Sequence, residues 1–222
     1  MRLALFDLDG TLLPTDSDHA FGEFMVRIGW ADPHEHARQN DKFFQDYQAG
    51  CLDMHADIDF ATASWRERDA AEIARMSERF MQEVIEPCLR EPAHALVQRH
   101  RDRGDRLALV TATNDFITGP IARAFGIDTL IATELERDAL GRVTGRIQGT
   151  PCLREGKITR VSQWLAQEGT RLEACEEVAF YGDSTNDPPL LERVTHPVAT
   201  NPAPALAKIA AERGWTVLNL FE

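Results

Sequence analysis

The chain has 222 residues, 43% hydrophobic and 27% charged, a balance that suits a globule with a sizeable buried core. Its 24 lysines and arginines against 36 acidic residues give a formal net charge of −12, which argues against a nucleic-acid backbone as main partner, because that binding needs clustered bases. No apolar run approaches the ~18 residues that span a bilayer, so no membrane partner is expected.

An apolar strand signal begins at once near the N-terminus, so no signal peptide is expected. The cysteines Cys51, Cys88, Cys152 and Cys175 lie far apart with no CxxC pair, as reduced packing thiols do. A cytoplasmic protein, either monomer or homodimer, is the expectation.

In chain order, Leu3-Ala4-Leu5-Phe6 is a short apolar run that meets Asp7-Leu8-Asp9-Gly10-Thr11. An apolar run bounded by a turn signal predicts a buried parallel strand. Asp7 and Asp9 then stand just past its carboxyl end, where open α/β sheets bind ligands. If the backbone stays extended, both carboxylates face the same way. Pro14 and Thr15 break the strand. Asp16-Ser17-Asp18 opens a helix in which Phe21, Phe24, Met25 and Ile28 share a face.

From Pro33 to Pro87 the pattern is helical, with Phe43, Tyr47, Ile58, Trp65, Ile73, Met76, Phe80 and Val84 spaced for three or four amphipathic helices. Beyond Ala93 helix and strand alternate. Strands are expected at 106–110, around 130–131, at 178–181, 197–200 and near 215–220, with a hairpin about Leu140-Gly141. The fold class that results is α/β: a doubly wound, Rossmann-like parallel sheet with an inserted all-helical lobe. The core takes 1–14 and 88–222, and the helical cap takes 15–87, with hinges near Pro14 and Pro87.

Three of these strands end in polar clusters: Asp7 and Asp9 on the first, Thr111 beside a helix start on the second, and Asp183, Asn186 and Asp187 on the fourth. If the strands are neighbours, the clusters share one crevice. Four carboxylates without matching bases call for a divalent cation, and oxygen donors favour Mg²⁺. Protein-bound Mg²⁺ commonly takes phosphate oxygens as its remaining ligands. A carboxylate can act as nucleophile on phosphorus. Thr111 and the backbone N–H behind it at Ala112 can donate to phosphate, and Lys157 can supply a point positive charge. Taken singly, Lys157 also reads as a solvated lysine and Thr111 as a helix cap.

Asp7-Leu-Asp9-Gly-Thr, Thr111, Lys157 and Gly-Asp183-Ser-Thr-Asn-Asp187 resemble, in order, the four motifs of the haloacid dehalogenase superfamily. The helical insert after the first motif looks like a first-position (C1) cap, and Asp183-x-x-Asn186-Asp187 resembles the phosphoserine phosphatase-like branch. The resemblance implies a Mg²⁺-dependent phosphomonoester hydrolase acting on a small phosphorylated metabolite. Phosphoserine, histidinol phosphate or a similar amino-acid or amino-alcohol phosphate would suit.

It implies that Asp7 attacks phosphorus and carries the phosphate, and that Asp9 protonates the leaving group and then activates water. Asp9 also lends its backbone carbonyl to a metal shared with Asp7, Asp183 and Asp187. Thr111, where that branch more often has Ser, would bind phosphate, Lys157 would hold nucleophile and phosphate, and Asn186 would contact phosphate or water. Asp16 would either hold a substrate amine or cap its helix. Arg66, Arg68 and Arg75 are candidates for a substrate carboxylate, and His19 could join the cap's site residues. A phosphotransferase or phosphomutase of the same superfamily, or a non-catalytic phospholigand-binding regulator, are the alternatives.

Overall fold

The structure, a computed structural model, is described over residues 1–221. Its elements, in order, are β1 (Arg2–Phe6), α1 (Ser17–Arg27), α2 (Glu35–Ala49), α3 (Met54–Ala63), α4 (Ala70–Phe80), α5 (Glu91–Asp102), β2 (Arg106–Asn114), α6 (Asp115–Ala124), β3 (Thr129–Thr133), β4 (Leu135–Arg137), β5 (Val143–Ile147), α7 (Glu155–Gln167), β6 (Glu177–Gly182), α8 (Pro188–Leu191), β7 (His196–Thr200), α9 (Pro204–Arg213) and β8 (Thr216–Leu218). A π-helical turn, Met81–Ile85, and a 3₁₀ turn, Glu86–Cys88, carry the chain from α4 towards α5.

Six parallel strands form one sheet in the order β3-β2-β1-β6-β7-β8, and β4 and β5 make a separate antiparallel hairpin. The chain builds outward from β1 through β2 to β3, then returns to the other side of β1 with β6. The strand order therefore reverses between β1 and β6, which is where such sheets open a crevice.

Alternation along the strands divides the core into two layers. Ala4, Phe6, Leu109, Ala179 and Tyr181 face one side, against Phe21 and Phe24 of α1, Leu96 of α5 and Ile121 of α6. Leu3, Leu5, Ala108, Val110, Val178 and Phe180 face the other, against Val161 and Leu165 of α7 and Leu206 of α9. This is the period-two pattern of strands covered on both faces.

β2 does not end at Val110. It runs through Thr111 to Asn114, because β3 pairs with it again (Asn114 with Thr133) beyond a register shift. Thr111 is thus a strand residue. The helix that follows is capped three residues later by Asn114, whose Oδ1 accepts from the Ile117 N–H at 3.2 Å.

The helices α1–α5 lie between β1 and β2. Asp16 caps α1, accepting from the His19 N–H at 2.8 Å, and Asp53 caps α3. Gly50, at φ +70°, closes α2 in the left-handed conformation.

Phe6 carries much of the packing under the site. It is fully buried, stacks on Tyr181 at 5.1 Å between centroids and meets His100 edge-on at 5.7 Å. Phe6→Ala is expected to destabilise the fold by about 3–5 kcal/mol. Urea unfolding would show a lower midpoint at unchanged slope, and a midpoint within error of the parent would contradict this packing role.

Candidate active site

Because β2, β1 and β6 are adjacent, the loops at their carboxyl ends meet. The loop after β1 is held by the Leu8 carbonyl, which accepts from the N–H groups of Thr11, Leu12 and Leu13 at 2.8–3.1 Å. Gly10 sits in that turn at φ +73°, and a Cβ there would stand 2.2 Å from an Asp183 oxygen. The two acidic loops touch at a point where only glycine fits. Gly182 does the same for the second loop, since a Cβ there would meet Asp187 Oδ2 at 2.6 Å.

Lys157, on the first turn of α7, is completely buried. Its Nζ donates to Asp7 Oδ2 at 2.7 Å and to Asp187 Oδ1 at 2.6 Å. Asp7 Oδ1 accepts from the Leu8 N–H at 2.8 Å. Asp187 Oδ2 accepts from the Ser184 N–H at 3.1 Å and its hydroxyl at 3.3 Å. Asp183 Oδ1 accepts from the Thr11 hydroxyl at 3.3 Å. Asp7, Asp183 and Asp187 each present a carboxylate oxygen within 4.8 Å of the others. Three such hard oxygen donors, facing one ammonium, keep an excess of negative charge that suits a divalent cation.

The electrostatics agree. Burial pushes the Asp7 carboxyl up to about 8, Lys157 opposes the rise and Asp187 adds to it. Burial, then the neighbouring Asp187 and Asp7, holds Asp183 well above the usual carboxylate range. Burial alone would lower Lys157, but Asp187 and Asp7 outweigh it and keep the ammonium charged.

Asp9 turns towards a neighbouring cavity. Its Oδ1 accepts from the Ser17 N–H at 2.7 Å and its Oδ2 from the Thr113 hydroxyl at 2.8 Å. Burial and then Asp16 raise it to about 7. Its carboxylate is not one of the three grouped oxygens, so the two aspartates of the first motif do different things. Thr111 lies in the cavity wall, almost fully buried, and its Oγ1 accepts from the Thr113 N–H at 3.2 Å. Ala112 lines the same cavity.

Asn186 is engaged at both ends: its Oδ1 accepts from Arg154 Nε at 3.0 Å and its Nδ2 donates to the Tyr47 carbonyl at 3.3 Å. It ties the C-terminal end of α2 to the loop after β6. No sequence motif marks Arg154. It sits three residues before Lys157 at φ +52°, a costly conformation for a residue with a side chain, and a Cβ on Gly50 would strike its Nη2 at 2.0 Å.

The cavity is small, about 40 Å³, and reaches from Asp7, Asp9 and Thr111 to Asp16, Asp18, Asn40 and Asp57. An open cleft of about 730 Å³ adjoins it, sharing Asp9, Asp16, His19, Phe44 and Tyr47, with Asp183 and Asn186 on its far wall. Of the cap arginines, Arg66 is drawn away to Asp59 at 2.5 Å and Arg68 lies over the Trp30 ring at 4.0 Å. Neither lines the cavity.

A doubly wound sheet with acidic loops at its switch point defines an α/β protein whose clustered carboxylates could hold a metal ion. Residues 4–192 match the model of the haloacid dehalogenase-like hydrolases, and the chain belongs to that family. It is 46% identical over 218 residues to a histidinol-phosphatase of Neisseria meningitidis, covering 98% of each chain. It is 32% identical over 217 residues to phosphoserine phosphatase SerB1 of Mycobacterium tuberculosis, covering 96% of this chain and 69% of that one. A crystal structure of a protein of unknown function from Bordetella pertussis superposes with a TM-score of 0.93 at 51% identity, covering 99% of both. A substrate-bound phosphoserine phosphatase gives 0.68 at 18% identity over 98% of this chain and 92% of that one, a likeness of fold alone. The chain is a phosphatase of this family, acting on small phosphates.

The raised carboxyls set the pH dependence of stability. Asp7 (about 8), Asp9 (about 7) and Asp16 (about 6) each bind their proton more tightly folded than unfolded. The stability they contribute is complete below the ordinary carboxylate range and is lost as pH rises through these values. In EDTA the melting temperature should therefore fall between about pH 6 and about pH 8. Added divalent cation should raise it more at the higher pH. A melting temperature that climbs over this interval in EDTA would contradict the assignment.

Proposed function

We propose that the chain hydrolyses a small phosphate monoester, with Asp7 as the nucleophile that carries the phosphoryl group and with Mg²⁺ as the resident ion. The observation that carries this reading is the buried Lys157 ammonium between Asp7 and Asp187, with Asp183 beside them. Asp7, Asp183 and Asp187, with the Asp9 carbonyl, would hold Mg²⁺, which when bound supplies positive charge against the phosphoryl oxygens.

The remaining chemistry belongs to the chain's own groups. An Asp7 oxygen forms a bond to phosphorus as the ester P–O bond breaks. The departing alkoxide takes the proton of the Asp9 carboxyl, which burial keeps near neutral pH. Asp9, now ionised, accepts a proton from water as that water attacks phosphorus. The Asp7–phosphorus bond then breaks, releasing inorganic phosphate and restoring the carboxylate. The Ser17 N–H and the Thr113 hydroxyl aim Asp9 throughout. Lys157 screens Asp7 from Asp187 so that phosphate can approach. Thr111 offers its hydroxyl, and Ala112 its N–H, to the phosphoryl oxygens.

Residues 15–87 act as a cap over this core of 1–14 and 88–222. The chamber of about 40 Å³ has room for only a few waters, so the cap must part from the core to admit an ester and close to exclude water. Pro14 and the π-helical and 3₁₀ turns at 81–88 are the places where the chain can flex. The substrate would be an amino-acid or amino-alcohol phosphate, in keeping with what the relatives are named for. Four free thiols suit a reducing compartment, the cytoplasm.

Asp7→Asn is expected to lower kcat for phosphate release from p-nitrophenyl phosphate by at least about a thousandfold, with the fold intact by circular dichroism. Chelation should abolish parent activity and Mg²⁺ restore it. Undiminished turnover by Asp7→Asn would sink the covalent reading. Consumption of ester without stoichiometric free phosphate would point to phosphoryl transfer instead.

A further inference from the structure

The inner cavity holds a charge pattern that the reaction does not use. Beyond Asp9 it is lined by Asp16, Asp18 and Asp57, and among the described residues no lysine or arginine lines it. Asp16 is accounted for by its cap on α1. Asp18 has one weak donor, Asn114 Nδ2 at 3.4 Å.

Asp57, on α3, is only 7% exposed, and among the described residues no group donates to its carboxylate and no cation pairs with it. A buried carboxylate without a partner is costly and is ordinarily matched by a hydrogen-bond donor or a positive charge. Here burial and the neighbouring Asp16 push the group up to about 7. Asp18 in turn feels Asp57 and Asp9. The wall is completed by flat apolar surface from Phe43 and Phe44, the latter 4.8 Å from the His19 ring.

We propose that Asp57, with Asp18 beside it, is the specificity subsite for the alcohol half of the ester, and that this half carries an ammonium or imidazolium group and no carboxylate. The proposal rests on the phosphatase reading above, which places the phosphoryl group at Asp7. An ester bound there extends its alcohol into the acidic chamber. A cation supplies the partner that Asp57 lacks, and the aromatic wall accepts a planar or cationic group. A carboxylate on the same alcohol would enter among like charges with no lysine or arginine to meet it, which disfavours amino-acid phosphates relative to amino-alcohol phosphates.

The test uses the full chain with Mg²⁺ and three esters: L-histidinol phosphate (cationic, no carboxylate), O-phosphoserine (cationic, with carboxylate) and p-nitrophenyl phosphate (neither). The parent should favour histidinol phosphate over phosphoserine by at least about tenfold in kcat/KM. Asp57→Asn should lower kcat/KM for histidinol phosphate at least about tenfold more than for p-nitrophenyl phosphate, chiefly through KM. The ligand-free variant should melt higher than the parent at about pH 8, because an unpaired buried charge is gone. Equal losses on both esters, equal parental use of phosphoserine, or a lower melting temperature would overturn the proposal.

Parental hydrolysis of p-nitrophenyl phosphate tests the phosphatase reading on its own. The subsite is tested without turnover by calorimetric binding of histidinol phosphate to Asp7→Asn and to Asp7→Asn/Asp57→Asn. Weaker binding by the double variant supports the subsite, and equal binding overturns it.

Discussion

The buried ammonium of Lys157 between Asp7 and Asp187 is the interaction on which the rest of the site depends. It joins residues 150 and 30 positions apart in the chain, and so fixes the loop after β1, the first turn of α7 and the loop after β6 against one another. None of the three charges could be buried alone, because each would lose its hydration without compensation. The pairing is incomplete by design of the residue types: Asp183 joins the group without a lysine of its own. In the proposed function, the remaining negative charge would draw a cation to the centre and, through that cation, phosphate.

The sheet supplies the platform, and in the proposed function the helices α1–α4 would supply selectivity. Loops at the ends of buried strands are held on both faces by the two apolar layers, so small changes there are resisted by close packing. The helices touch the core through apolar packing, with Phe21 and Trp65 against Phe116 of α6, and through a few polar contacts as well. Arg154 reaches Asn186, Asn186 reaches the Tyr47 carbonyl, and Gly50 leaves room for the guanidinium. Such a contact is specific in geometry and modest in area.

Several buried carboxylates gather where the ester would lie. Asp9, Asp16, Asp18 and Asp57 line one cavity, and their raised pKa values share a leading cause, removal from water. In the proposed function, chemistry at Asp7 and recognition at Asp57 would be two ends of one electrostatic arrangement, with Asp9 between them.

Elements whose signal is local were legible in the sequence. The apolar runs of β1, β2 and β6, the turn at Asp9-Gly10 and the cap at Asp16 follow from neighbours in the chain, and the ordered motifs singled out Asp7, Lys157, Asp183 and Asp187. The length of β2 was not legible, because its last residues are held as strand by β3 after a shift in register. Nor was the direction of long side chains: Arg66 turns to Asp59 and Arg68 to Trp30, whereas Arg154, with no motif to mark it, reaches the site. Asp57 reads in the sequence as one more acidic residue on a helix. By itself the sequence determined the class of sheet and the set of groups able to do the chemistry, since both depend on residue type and short spacing. Which carboxylates are buried, which are paired and which face a ligand was decided only by tertiary structure, because burial and pairing are properties of segments that meet across the fold.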